Sequence, residues 1–314
     1  MNDQFGREIT YLRLSVTDLC NLRCKYCMPA EGITKRSHSD ILTIEEIEEL
    51  VGAAARLGIT KVRITGGDPL VRRGIVELCQ CVSETPGITE TCMTTNGALL
   101  RKYAAPLRNA GVSRLNISLD TLNPDRYREI TRVGKLSDTL DGINAAHEAG
   151  FESIKINAVL MRGENDDEIR TLVELTRKAT THVRFIELMP IGTMAEWSRE
   201  RYLENSAVLR AIPELELLEN DGVATMYKLP DAIGSVGLIS PISSHFCPAC
   251  NRIRITADGK LKPCLHSAAE VNLRGLHGDA LLDTMHDAIF TKPRRHHIDE
   301  AASDSARDMF AIGG

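Results

Sequence analysis

Two cysteine triads stand out in the chain: Cys20, Cys24 and Cys27 in "CNLRCKYC", and Cys247, Cys250 and Cys264 in "CPACNRIRITADGKLKPC". The spacing C-x3-C-x2-C lets three thiolates face one centre, and zinc and iron–sulfur clusters both accept thiolate ligands in tetrahedral array. A closed site takes four ligands, so each triad leaves one position open. In a four-iron cubane that position is an iron able to bind substrate or cosubstrate. At zinc it would be filled by another side chain, with His38 available to the first triad and His245 or His266 to the second.

Arg252 and Arg254 follow Cys250 almost directly, and on an extended segment they point to one side. Two forked guanidiniums beside an open metal position make a pocket for an anion or a polar heterocycle. "ITGGDPL", Ile64 to Leu70, is either a plain turn or a loop whose glycines admit close backbone approach. Lys155 sits among apolar neighbours in "SIKINAVL", a position that mere surface decoration does not explain.

These residues need elements to hold them. Strand-like runs are expected at Leu12–Thr17, Lys61–Thr65, Glu90–Thr95, Arg114–Leu119, Ser153–Leu160 and Val183–Leu188. Helical patterns lie between them. In "TIEEIEELVGAAARLG" Thr43 and Glu46 have capping-box spacing, and "DDEIRTLVELTRKAT" opens acidic and closes basic. Six strand–helix units in series predict a parallel sheet curled into a partial (β/α)6 barrel of TIM type, with ligands at the carboxyl ends of the strands. Beyond about residue 225 the texture turns to short segments rich in Gly, Pro, Ser and Cys. The expected division is therefore 1–225 for the barrel and 226–314 for a smaller C-terminal domain with the second triad.

Composition narrows the classes. The chain has 314 residues, 43% of them hydrophobic and 26% charged, with a net charge of −5. That balance argues against nonspecific nucleic-acid binding, so an anionic substrate needs a local cluster of cations. No apolar run is long enough to span a membrane, and "MNDQFGREIT" lacks the features of a secretion signal. A cytoplasmic home is expected, where reduced thiols serve as metal ligands rather than disulfides. Cys79, Cys81 and Cys92 fit no cluster spacing and read as packing residues. "HDAIFTKPRRHHIDE", with His296 and His297, and Arg72 to Gly74 read as charged surface.

"CNLRCKYC" after the first strand resembles the signature of the radical S-adenosylmethionine (SAM) superfamily, with Tyr26 as the aromatic residue before the third cysteine. The resemblance implies a [4Fe-4S] cluster on Cys20, Cys24 and Cys27, with SAM on the open iron and cleaved by one electron to a hydrogen-abstracting radical. "ITGGDPL" resembles that family's GGEP loop, with Asp68 where Glu is usual. Read in order, "RLSVTDLCNLRCKYCMP", "VRITGGDPL", "TTNG", "RLNISLDTL", "KINAVLMRG", "RFIELMP", "CNRIRITADGKLKPCL" and the terminal "GG" resemble one twin-cluster branch, the GTP 3′,8-cyclases of molybdenum cofactor biosynthesis. That branch implies a second [4Fe-4S] cluster on Cys247, Cys250 and Cys264. It implies SAM contacts from Tyr26, Gly67, Ser118 and Met189, and GTP contacts from Arg13, Arg63, Thr94, Lys155, Arg252 and Arg254. Arg252, Arg254, Gly313 and Gly314 are implied in catalysis. The product would be (8S)-3′,8-cyclo-7,8-dihydroguanosine 5′-triphosphate, passed to the cyclic pyranopterin monophosphate synthase. An electron donor and a homodimeric state are implied as well.

Overall fold

The computed structural model describes residues 1–34, 36–177, 179–298 and 303–313, with the side chain of His38 excepted. Gly314 and His38 as a ligand therefore lie outside the described residues. The chain alternates β1 (Tyr11–Ser15), α1 (Ile44–Arg56), β2 (Lys61–Thr65), α2 (Ile75–Glu84), β3 (Glu90–Thr95), α3 (Leu100–Asn109) and β4 (Val112–Ser118). It continues through α4 (Pro124–Thr131), α5 (Leu136–Glu148), β5 (Ile154–Leu160), α6 (Ile169–Val173) and β6 (Thr181–Glu187). The six expected strands are present, with ends shifted by two residues at most, and neighbours pair in parallel from β1 through β6.

The alternation arises because each strand buries one face under the helices while the other faces the barrel interior. Along β5 the burial alternates strictly, with Lys155, Asn157 and Val159 on the less buried face. Helix α1 opens with the expected capping box: Glu46 N–H donates to Thr43 Oγ1 at 3.2 Å and Thr43 N–H to Glu46 Oε2 at 2.7 Å. The second expected helix is broken, with 3-10 turns at Asp166–Glu168 and Glu174–Arg177 on either side of α6. The carbonyl of Thr176 takes the N–H groups of Ile233 and Gly234, which draws its last turn away from α geometry.

Short helices α7 (Ala195–Glu200) and α8 (Ser206–Ala211) lead into β7 (Glu216–Leu217), β8 (Thr225–Lys228), β9 (Val236–Ile239), β10 (Arg252–Ile255), β11 (Lys260–Lys262), β12 (Val271–Asn272) and α9 (Gly278–Phe290). Strand β9 pairs in parallel with β6, and β10 pairs in parallel with β1, so later chain extends both edges of the barrel sheet. The order β12-β11-β10-β1-β2-β3-β4-β5-β6-β9-β8-β7 is an open sheet, not a closed barrel. Among the described residues no helix is long and apolar enough to cross a membrane.

Candidate active site

The loop after β1 carries the first triad. A tight turn, with Cys27 N–H on the Cys24 carbonyl at 3.0 Å, folds Cys24 and Cys27 together. Leu22 N–H and Asn96 Nδ2 point at Cys20 Sγ from 3.3 and 3.7 Å. All three thiols line one cavity of about 180 Å³, together with Tyr26, Gly67, Thr94, Ser118 and Met189. The four expected SAM contacts thus converge on the first triad, and Thr94, expected at GTP, shares that cavity.

Gly67 is required where it stands. Its N–H donates to the Thr17 carbonyl at 2.7 Å, and a Cβ there would lie 2.3 Å from the Leu19 carbonyl oxygen. The departure at Asp68 has a structural account. Its carboxylate accepts from Leu70 N–H, Thr95 Oγ1 and Asn96 N–H at 2.7–2.9 Å, locking the glycine loop to the end of β3. Sequence reasoning missed Asp120, which is buried in the same cavity, accepts from Tyr26 Oη at 2.9 Å and from Val159 N–H at 2.8 Å, and is raised by burial to about 6. Its position two residues past Ser118, at a strand's carboxyl end, was the available signal.

Burial and the Asp68 carboxylate push the Cys20 thiol up to about 11, while burial and Cys20 push Cys27 to about 12. Desolvated thiols that resist ionisation by themselves suit a soft metal centre whose positive charge stabilises the thiolates. The donor set therefore fits an iron–sulfur cluster.

The second triad forms differently. Cys247 opens a 3-10 turn in which Cys250 N–H donates to its carbonyl at 3.2 Å, and the β10–β11 hairpin returns the chain so that Cys264 stands beside them. Here the field is positive: burial raises the Cys250 thiol, but Lys292, Arg252 and Arg254 outweigh it and draw the value down. Lys292 is fully buried, and its Nζ donates to the carbonyls of Arg252 at 2.9 Å and Pro263 at 2.5 Å. His296 is buried as well, with its ring 4.7 Å from that of His245 and 4.6 Å from that of His266. The reading of 286–300 as charged surface, of which 299 and 300 lie outside the described residues, is thus corrected at Lys292 and His296, whose charge or ring is satisfied inside. Arg72 is corrected likewise, since its guanidinium donates to the carbonyls of Val16 and Leu42 at 2.6 and 2.7 Å.

Strand β1 joins the two triads. The second stands at its amino end, where Thr10 and Tyr11 donate to the Asn251 carbonyl, and the first follows its carboxyl end, about 16 Å away along five residues. Between them four guanidiniums meet. Arg13 pairs in register with Arg254 on one side and Arg63 on the other, and Tyr11 with Arg252. Burial and Arg252 pull Arg254 down to about 10, and burial with Arg254 lowers Arg13. Burial would raise the Tyr11 phenol, but Arg63, Arg13 and Arg252 draw it to about 8. Buried like charges of this kind call for an anion.

The carbonyl of Gly313 lies there. It accepts from Arg254 Nη1 at 2.7 Å and from Arg13 Nε at 3.2 Å. With φ at +72° and a Cβ that would meet Thr65 Oγ1 at 2.4 Å, only glycine fits. Lys155 faces elsewhere. It lines a cavity of about 350 Å³ with Arg114, His182 and Asp221, and its Nζ is 2.8 Å from Asp221 Oδ2. Arg184 pairs with the same carboxylate, and although burial opposes it the two cations hold Asp221 down to about 2.

Residues 14–176 match the family model described as the Radical SAM superfamily, and residues 181–298 match Molybdenum Cofactor Synthesis C. The "GTP 3′,8-cyclase" of Alkaliphilus oremlandii is 49% identical over 320 residues, covering 100% of both chains. That of Peptoclostridium acidaminophilum is 50% identical over 318 residues, covering 99% of this chain and 98% of the other. Among solved structures, Streptococcus suis SuiB bound to S-adenosylmethionine shares the fold, with a TM-score of 0.62 at 16% identity over 97% of this chain and 77% of that one. The chain belongs to the radical SAM superfamily and, within it, to the GTP 3′,8-cyclase family.

Proposed function

We propose that the protein is a GTP 3′,8-cyclase, a radical SAM lyase that joins C3′ of the ribose of GTP to C8 of its guanine in the first step of molybdenum cofactor biosynthesis. The observation that carries the reading is the arginine group of Arg13, Arg63, Arg252 and Arg254, with Arg63 and Arg254 buried, set along β1 between two cysteine triads. Cys20, Cys24 and Cys27 would hold one [4Fe-4S] cluster, and Cys247, Cys250 and Cys264 the other. When bound, the clusters and SAM supply the one-electron radical chemistry.

The protein's own residues bind and orient. Tyr26, Gly67, Ser118 and Met189 shape the cavity for SAM, with Asp120 fixing the Tyr26 hydroxyl. Arg13, Arg63, Arg252 and Arg254 offer forked donors to the nucleotide, and the carbonyl of Gly313 already accepts from two of them. Thr94 and Lys155 belong to the same proposed set for GTP, Lys155 through a pocket it lines with Arg114 and His182. Arg252 and Arg254 act in catalysis with Gly313 and Gly314 by holding the base in place as charge changes on it. A donor of electrons, a homodimeric state, transfer of product to the cyclic pyranopterin monophosphate synthase and a cytoplasmic setting complete the proposal.

The test is the iron and sulfide content of anaerobically prepared protein and of a Cys247→Ala, Cys250→Ala, Cys264→Ala variant. About eight irons falling to about four support two cubanes, and GTP turnover by the wild type alone then completes the assignment. A second reading has one observation in its favour: the donor atoms of His245, Cys247 and His296 lie within 4.8 Å of one another, a set that suits zinc. Zinc in place of iron at that site would overturn the cyclase reading.

A further inference from the structure

A charge network holds the C-terminal tail, away from the residues so far placed in the site. The Arg307 guanidinium is clamped from two sides. Its Nη1 and Nη2 donate to Asp258 Oδ1 and Oδ2 at 2.9 Å each, while Nε and Nη2 donate to Glu270 Oε1 and Oε2 at 2.6 and 2.8 Å. All three side chains are largely buried, between 12 and 19% exposed. Asp258 lies in the turn joining β10 to β11, the hairpin that brings Cys250 and Cys264 together, and Glu270 immediately precedes β12. Arg36 continues the chain of charges, from Asp258 Oδ2 at 3.0 Å to Asp18 Oδ2 at 2.7 Å, and Asp18 lies two residues before Cys20.

Beyond Arg307 the tail is tied at each step. Asp308 Oδ1 accepts from Thr193 N–H and Oγ1 at 2.6 and 2.8 Å, Ile312 packs with Ile191 and Ile298, and Gly313 reaches Arg13 and Arg254. Only five residues separate Arg307 from Gly313, so an error at the clamp propagates along this short, tied segment to the carbonyl. A fork between two carboxylates is the geometry least tolerant of replacement, because lysine supplies a point charge and glutamine none.

We infer that Arg307, clamped by Asp258 and Glu270, is a positioning residue that sets where the Gly313 carbonyl meets Arg13 and Arg254, and that Arg36 and Asp18 tie that clamp to the Cys20 loop. The inference rests on the reading that GTP is handled at Arg13 and Arg254, but the clamp itself can be tested without it.

Cluster-loaded wild type, Arg307→Gln, Arg307→Lys and the milder Asp258→Asn are compared in two measurements: release of C-terminal residues by a carboxypeptidase, and GTP cyclisation with its kcat and its KM for SAM. With iron content equal to wild type, Arg307→Gln is expected to release its tail roughly tenfold or more faster, and to lose cyclisation kcat by a similar factor at unchanged KM for SAM. Arg307→Lys recovers part of both, and Asp258→Asn falls between. Tail release within twofold of wild type in Arg307→Gln overturns the inference, as does a rise in KM for SAM equal to the loss in kcat. Should Arg307→Gln fail to hold its clusters, Asp258→Asn decides by the same criteria. If wild type makes no cyclised product, the functional reading fails, while the carboxypeptidase comparison still decides the clamp.

Discussion

Gly313 shows what one residue can decide. A methyl at this position meets Thr65 Oγ1 and Ser15 Cβ on a left-handed backbone, so Gly313→Ala must withdraw the carbonyl from Arg13 and Arg254. Cyclisation is expected to fall at least about tenfold with iron content unchanged, read from steady-state kcat. Asp221 works in the other direction. Its carboxylate pairs with Lys155 and Arg184 and lies in the Lys155 pocket, where it competes with any phosphate that enters. Asp221→Asn is expected to lower the KM for GTP several-fold at low salt, an advantage that shrinks as salt rises. Asp120 carries a pH signature. Burial raises its pKa from 3.8 to about 6, so the folded state binds the proton more tightly than the unfolded chain. The penalty is absent below the unfolded value, grows as pH rises through this window, and is full above about 6, at about 3 kcal/mol. Asp120→Asn removes it, so in urea unfolding the variant's stability relative to wild type should be higher at pH 7.5 than at pH 4.5.

Elements were legible where their signal was local. The six parallel strands and the Thr43–Glu46 capping box depend on residues within a few positions of one another, and each is present. Thr43→Ala should therefore cost about 1 kcal/mol, measured as a lowered Tm. Strands β9 and β10 were not legible as barrel strands, because each is four residues long and its partner lies far away in sequence. The 3-10 turn that follows α6 escaped for a related reason, since the N–H groups that donate to the Thr176 carbonyl come from Ile233 and Gly234. Lys292 and His296 were misread because charge and polarity were taken for exposure. Lys292 is instead held by the carbonyls of Arg252 and Pro263, which no spacing rule anticipates. The cysteine triads, by contrast, announced themselves through chemistry that few other arrangements need.

At the scale of the whole molecule, one open sheet runs through the entire chain, from β12 at one edge to β7 at the other. The arginine group exists only because β10 docks on β1, which places Arg252 and Arg254 opposite Tyr11 and Arg13. The site is therefore a product of chain topology rather than of any one segment. That docking also sets a timetable for synthesis. Tyr11 leaves the ribosome about 240 residues before Arg252, its register partner, which at about 5–20 residues per second is roughly 12–48 s. Throughout that interval β1 has an unfinished edge, and the β10 positions that would oppose Tyr11 and Arg13 have not yet been made. Metal loading of the second triad must wait still longer, for Cys264, so a nascent chain starved of chaperone cover is exposed for tens of seconds to pairing with the wrong neighbour.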